Sequence, residues 1–272
     1  SVDKGLVIEF GSAYCADGMN AVDWALANYP VDVKTIGIMG YAGDYGGDYA
    51  KGVQAAAEAN GLTVAWEYIV PSPEFDVAQA VGLMVTKPVD AYFPAVGPTH
   101  MAQVAGGAFQ QGLTPLSMMA APSFNDAFVR EGFALAPLFN SGSMYLMAFV
   151  APYEAETAGH ATMRATFSAM GIDSANTFLV AGWASQHHLK GVLEAANKGG
   201  DLTRAGIRRA AGSVYVDSDG MMPQRELGQN RADAESFIAV PDGTIGSGVK
   251  LLAGNYVGPS AGGYDWESGP CS

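Results

Sequence analysis

Short apolar runs alternate with amphipathic stretches through the first 150 residues of the chain. The apolar runs are rich in β-branched residues and end at glycine or polar residues, which predicts buried strands. The stretches between them repeat apolar residues three and four positions apart, which predicts helices ending at residues such as Gly61 and Gly112. The predicted strands are residues 33–41, 62–70, 89–96, 116–120 and 143–150, and the predicted helices are 44–60, 75–85, 100–111 and 124–131. This alternation predicts an α/β fold, a mostly parallel sheet with helices on both faces.

The second half of the chain has a different pattern. Helices are predicted at residues 157–170, 178–197 and 202–211, with strands only at 213–216 and 236–240. A small group of helices buries only a modest apolar face by itself. We therefore expect the region from 172 to 238 to pack on structure that lies outside it.

Ligand sites in parallel α/β sheets lie beyond the carboxyl ends of the strands. In this sequence those positions are the loops at residues 41–47, 97–100 and 120–125, together with the segment around Ser141.

The charge balance excludes some partners. The chain has 14 Lys and Arg against 27 Asp and Glu, a formal net charge of −13. Nucleic-acid binding needs clustered basic residues to meet phosphates, so no nucleic-acid partner is expected.

No apolar run reaches the roughly 18 residues of a membrane-spanning helix. The first residues do not resemble a signal peptide, so the protein is either cytosolic or has had a targeting segment removed.

The candidate catalytic and metal-binding motifs are weak. The segment from Gly40 to Gly47 has the strand–turn–helix context of a phosphate-binding loop, but it contains Asp44 and Asp48 and no Lys. Asp44 is better explained as a helix cap, and Tyr45 as a ring over a ligand at the strand end. The histidines lack metal-ligand spacing, and no GxSxG motif is present. We expect no enzyme activity, no metal and no cofactor.

The two cysteines, Cys15 and Cys271, allow two interpretations. They are either unrelated thiols or a disulfide joining the two ends of the chain. A bridge closing about 256 residues would stabilise the fold by roughly 5 kcal/mol in the chain-entropy model, and it would imply an oxidising compartment.

Three sequence segments together resemble one family. They are VKTIGIMGYAGDYGGDYAKGVQAAAEANGLTVAWEYIVPSPEFDVAQAV, VDAYFPAVGPTHMAQVAGGAFQQGL and NTFLVAGWASQHHLKGVLEAANKGGDLTRAGIRRAA, in this order. Their order and spacing resemble the branched-chain-amino-acid-type substrate-binding proteins of ABC transporters, which have the type I periplasmic-binding-protein fold. The resemblance extends from about residue 10 to about residue 245.

The resemblance implies two α/β lobes that close on a ligand by a hinge motion. Residues 12–171 with 239–272 would form the C-terminal ligand-binding lobe, and 172–238 a remnant of the N-terminal lobe. The family has about 120 further residues before this point, so the chain is expected to be a fragment or one of two pieces. A complete protein with a different first lobe is the alternative.

The resemblance also implies ligand-binding residues, at Tyr45, Gly97, Pro98, Thr99, Ser141, Ser143, Trp183 and Gln186. Amino-acid binders place an acidic residue just before the strand that begins near Met144, where this chain has Ser141 and Ser143. A buried ammonium without a carboxylate is costly, so a zwitterionic amino acid is disfavoured. The expected ligand is a small amino-acid-like, amide or aromatic molecule. Among these, a neutral amide-like or aromatic ligand fits Tyr45 and Trp183 better than a zwitterion does.

By this resemblance the protein is an extracytoplasmic solute-binding protein that delivers a small molecule to an ABC permease. It would be periplasmic or extracellular, and a lipid anchor could be attached through a preceding N-terminus. A Cys15–Cys271 disulfide is favoured there, because both residues fall in one lobe of a protein in an oxidising compartment. Two alternatives are a sensory domain of the same fold and an α/β enzyme acting on a phosphorylated substrate.

Overall fold

A seven-stranded sheet, mostly parallel, organises the first half of the chain. The structure is a computed structural model, and it describes residues 11–212, 214–223, 225–226 and 234–271. The strands are β1 (Thr35–Tyr41), β2 (Thr63–Val70), β3 (Ala91–Ala95), β4 (Leu116–Ala120), β5 (Met144–Ala148), β6 (Tyr215–Val216), β7 (Arg225–Glu226), β8 (Ser236–Pro241) and β9 (Val249–Tyr256). The main sheet has the order β2-β1-β3-β4-β5-β8-β9, and β6 pairs with β7 separately. Strands β1 to β5 are parallel, and β8 and β9 add an antiparallel edge.

Helices cover both faces of this sheet, as the sequence predicts. The helices are α1 (Tyr14–Asn28), α2 (Gly46–Ala59), α3 (Val77–Thr86), α4 (Pro98–Gln110), α5 (Ala136–Phe139), α6 (Ala158–Ala169), α7 (Thr177–Lys198), α8 (Arg204–Ala211) and α9 (Pro259–Gly262). Successive strand residues point to opposite faces. Thus Ile38 packs in the core beneath α1 and α2, whereas Met39 packs in the core beneath α3 and α4.

The predicted short helix at 124–131 is only a 3-10 turn over Asp126–Val129. Asn125 caps this turn, since its side-chain oxygen accepts a hydrogen bond from Ala127 N at 2.9 Å. The predicted strand at 213–216 is observed from Tyr215, while residue 213 lies outside the described residues.

The helices of the second half form their own small core. Met163 and Phe167 of α6 pack with Val180 and Ala184 of α7 in one buried cluster, separate from the two cores of the sheet. The predicted lobe boundary at residue 171 therefore falls between two helices that share a core. The boundary predicted at 239 falls within β8. The division into lobes stays a prediction, and this packing favours placing α6 with α7.

The two ends of the described chain are joined through α1. Cys15 and Cys271 form a disulfide, with their Cα atoms 6.0 Å apart, which confirms the bridge. On the same helix Asn20 is fully buried and donates to Ala234 O at 2.7 Å and to Ser236 Oγ at 2.7 Å. These contacts hold β8 and the C-terminal segment against the sheet.

Candidate functional site

The parallel strands end along one edge of the sheet, and aromatic side chains line that edge. Six rings form a connected surface, which we call the aromatic wall: Tyr14, Tyr41, Tyr45, Phe75, His100 and Phe149. They come from the start of α1, the end of β1, the start of α2, the segment after β2, the first turn of α4 and the residue after β5. Five of the six are half-buried, and Phe75 is buried. The wall therefore offers partly exposed aromatic residues where ligands bind in this type of sheet.

Each ring of the wall contacts at least one other ring of the wall. Tyr45 is central, with its ring centroid 4.9 Å from that of Tyr14 and 6.4 Å from that of Tyr41. Tyr14 in turn lies 6.3 Å from Phe149, and Tyr41 lies 5.8 Å from Phe75. Tilted and edge-on pairs at these distances are favourable packing for aromatic rings. The wall is a continuous surface that can cover an apolar ligand.

Tyr45 is fixed by the loops that follow β3 and β4. Its hydroxyl donates to Val96 O at 3.2 Å and lies 3.2 Å from Ser123 Oγ. Ser123 is fully buried; its hydroxyl donates to Val96 O at 2.8 Å and accepts from Val96 N at 3.2 Å. One serine thus joins two strand-end loops and sets the position of the central ring.

The phenols of Tyr14 and Tyr45 are neutral at physiological pH. Burial raises the pKa of Tyr45 well above its ordinary value of 10, although the hydrogen bond from Ser123 opposes this shift. Burial also raises the pKa of Tyr14 to about 12, with smaller contributions from the charges of Asp17 and Asp44. Both hydroxyls therefore act as uncharged hydrogen-bonding groups.

Tyr41, His100 and Phe75 form the polar end of the wall. The Tyr41 hydroxyl lies 2.7 Å from His100 Nδ1. The His100 ring stacks on Phe75, with centroids 4.8 Å apart and planes 20° from parallel. His100 has no special role in the sequence prediction, yet the structure places it among the strand-end aromatics.

The turn between β1 and α2 needs glycine to bring Tyr45 into this position. A Cβ atom on Gly46 would lie 2.4 Å from both the nitrogen and the oxygen of Tyr41, which backbone atoms cannot accommodate. The predicted helix cap at Asp44 is wrong, because Tyr45 is the N-cap residue and α2 has no side-chain cap. Asp44 is instead exposed in the turn.

Four of the predicted ligand residues lie at or beside the wall. Tyr45 is its centre, and Gly97 is the N-cap of α4, followed by Pro98 in its first turn. A Cβ atom on Gly97 would lie 3.1 Å from the Tyr41 hydroxyl, so this glycine borders the wall directly. Thr99 is exposed in the same turn, next to His100.

The structure does not bring Ser141 and Ser143 to this edge. They precede β5 at its amino end, and Ser143 O accepts from Ser117 N near the start of β4. Ser123 follows the other end of β4, a five-residue strand that spans about 16 Å at 3.3 Å per residue. The two serines bond to each other at 2.7 Å, exposed to solvent on the opposite edge of the sheet.

Trp183 and Gln186 also lie apart from the wall. Trp183 packs its ring 5.6 Å from Phe167, against the core formed by α6 and α7. Gln186 is exposed and donates to Gly182 O of its own helix at 3.2 Å. The structure shows no contact from either residue to the aromatic rings at the sheet edge.

A cavity of about 580 Å³ lies elsewhere, between α2 and the C-terminal segment. Its lining includes Lys51, Glu58, Tyr264 and Asp265 and none of the wall residues. In the part of the chain that the structure describes, no group of three or more His, Cys, Asp and Glu side chains is arranged to hold a metal ion. No helix among those residues is long and apolar enough to cross a membrane.

Comparisons with known proteins agree with this architecture. The structure resembles a fatty acid ABC transporter substrate-binding protein from Thermomonospora curvata, at 22% identity and a TM-score of 0.85, covering 97% of this chain and 69% of that one. It also resembles a possible leucine/isoleucine/valine-binding protein from Rhodopirellula baltica SH 1, at 15% identity and a TM-score of 0.73, covering 92% and 67%. A third is a branched chain amino acid ABC transporter from Thermus thermophilus with bound valine, at 11% identity and a TM-score of 0.68, covering 91% and 66%.

At these identities the likeness establishes the fold, a mostly parallel sheet with helices of the type I periplasmic-binding-protein class. A search of curated proteins by sequence found no match. The family model described as periplasmic binding protein matches residues 4–243, which is most of the chain. The chain therefore belongs to the periplasmic binding protein family.

Proposed function

We propose that this protein is an extracytoplasmic solute-binding protein that captures a small organic ligand on the aromatic wall and delivers it to an ABC importer. The observation that supports this most directly is the wall itself, at the sheet edge where ligands bind in such folds. Tyr45 at its centre, with Gly97 and Pro98 beside it, would contact the ligand. The mechanism is differential binding, in which ligand stabilises the closed form that the permease recognises. This role requires no catalytic residue.

The ligand class we propose is one with an apolar or aromatic body. Four of the six rings of the wall are half-buried phenylalanine or tyrosine side chains, which bind by stacking and apolar contact. The similar structure from Thermomonospora curvata is described as a fatty acid ABC transporter substrate-binding protein, which supports an apolar body without identifying the compound.

The opposite side of the binding cleft is proposed to come from a second lobe. The sheet from β1 to β5, with β8 and β9, would belong to one lobe. The helices α6 and α7, which share a core, would contribute to the other lobe, and that lobe would hold Trp183 and Gln186 near the ligand. The same proposal includes a second polypeptide, which would supply further parts of that lobe. It also includes a lipid anchor attached through the N-terminus.

Native mass spectrometry of the purified protein tests this function. We expect a non-covalently bound small molecule that is released on denaturation. The affinity of the Tyr45→Ala variant for this small molecule should be about tenfold or more below that of wild type, because the central ring of the site is removed. The matched control is Tyr29→Ala, a half-buried tyrosine that packs against Tyr145 outside the wall. Equal loss of ligand in both variants would contradict the proposed site.

A further inference from the structure

The polar end of the aromatic wall points to the chemistry of the ligand. We propose that His100 donates a hydrogen bond from Nε2 to an oxygen acceptor of the ligand, and that the ligand has no ammonium group near the wall. This inference rests on the proposed solute-binding function and narrows the ligand to an apolar molecule ending in a carboxylate or a neutral carbonyl group.

The hydrogen bond to Tyr41 determines which nitrogen of His100 is available. The Tyr41 hydroxyl and His100 Nδ1 are 2.7 Å apart, so one of them is the donor. A phenol is a good donor and a weak acceptor, which favours donation from the Tyr41 hydroxyl to Nδ1. The proton of a neutral imidazole then resides on Nε2. Among the residues that the structure describes, none forms a hydrogen bond with Nε2.

Stacking holds this donor in one orientation. Phe75 lies parallel to the His100 ring at 4.8 Å, and the ring of Tyr41 meets it edge-on at 5.7 Å. Two ring contacts and one hydrogen bond leave the half-buried imidazole little freedom to rotate. A donor fixed before the ligand arrives costs less entropy on binding than a mobile one.

The same edge is a poor site for an ammonium group. The polar groups that form hydrogen bonds within the wall and its supports are phenols, one imidazole and the Ser123 hydroxyl. The carboxylate of Asp17, whose charge acts on Tyr14, is fully buried and accepts hydrogen bonds from the Ser12 and Ser236 hydroxyls. Asp44, the acidic residue closest in sequence to Tyr45, is exposed to water. A desolvated ammonium needs a paired carboxylate, so an amino group against these rings would be destabilising.

Three related compounds distinguish the ligand classes: 3-phenylpropanoate, 3-phenylpropanamide and L-phenylalanine, titrated calorimetrically into the full chain. We expect at least one of the two deaminated compounds to bind about tenfold or more tightly than phenylalanine. Their relative affinities show whether the acceptor is charged or neutral.

Variants of His100 test the donor itself. His100→Phe keeps the stack on Phe75 and should weaken binding about tenfold, the effect of one lost hydrogen bond, whereas His100→Gln keeps an N–H donor and should retain more affinity. His187→Phe on α7 is the matched control. Tighter binding of phenylalanine, or unchanged affinity in His100→Phe, would overturn the inference. So would failure of both deaminated compounds to bind, although a solute detected by native mass spectrometry would leave the proposed function standing.

Discussion

Removing the Ser123 hydroxyl should both destabilise the protein and weaken ligand binding. Ser123→Ala deletes the group that donates to Val96 O, accepts from Val96 N and contacts the Tyr45 hydroxyl. The site is fully buried, so water does not readily replace the lost partner of the Val96 N–H. A typical hydrogen bond contributes about 1 kcal/mol net, and a buried donor left unpaired costs about 1–3 kcal/mol.

From these contacts we expect Ser123→Ala to lower the free energy of unfolding by about 2–3 kcal/mol. For a chain of this size that corresponds to a fall in Tm of roughly 4–12 °C. Ligand affinity should fall as well, because Tyr45 loses one of its two hydrogen-bond partners while its ring remains in place.

Urea denaturation and calorimetric titration of the co-purified solute measure the two effects. Thr162→Val is the control, since that exposed hydroxyl donates to Ala158 O of its own helix at 3.1 Å. An unfolding free energy within about 0.5 kcal/mol of wild type in Ser123→Ala would refute the reasoning, because surface substitutions alone cause changes of that size.

The other predictions concern stability. Cys15→Ser with Cys271→Ser should lower the free energy of unfolding by about 2–5 kcal/mol, and reducing agent should lower the Tm of wild type but not of the double variant. Burial holds the pKa of His160 below its ordinary value of 6.5. As the pH falls, the unfolded chain therefore takes up this proton before the folded one does. The free energy of unfolding is fully present above pH 6.5 and declines below it. Urea titrations at several pH values should show a smaller decline in His160→Gln. Hydrogen bonds from Lys34 N and from Thr35 lower the pKa of Asp90. Its contribution is present above the ordinary pKa of 3.8 and is lost as the pH falls through its lower folded value, so Asp90→Asn should be less stable than wild type at pH 7 and close to it in strong acid.

The alternation of strands and helices could be predicted because each central strand is a short apolar run. β1 and β3 are buried on both faces, so nearly every position is apolar and the pattern is unambiguous. The edge strand β9 could not be predicted in this way. Its burial alternates, and Gly254 and Asn255, the latter at φ 51°, interrupt its end.

Helix α1 shows why apolar periodicity misses some elements. Its polar residues Asp17, Asn20 and Asp23 are buried rather than exposed. They form hydrogen bonds with Ser236, Gly258 and Ser260, partners more than 200 residues away in sequence. No local pattern of polar and apolar positions indicates such partners.

The candidate site could be predicted only where strand direction was used. Tyr45 and Gly97 follow parallel strands and therefore lie at the carboxyl edge. Ser141 and Ser143 precede β5, and the same rule places them at the opposite edge. Phe75 and His100 join the wall through contacts between loops, which the sequence does not specify.

A crystal structure of the protein with its co-purified solute tests the central claim most directly. We predict the solute against Tyr45 and Tyr14, with an oxygen atom within hydrogen-bonding distance of His100 Nε2. A solute bound in the cavity between α2 and the C-terminal segment, or at the edge that holds Ser141, would contradict the assignment of the aromatic wall as the ligand site.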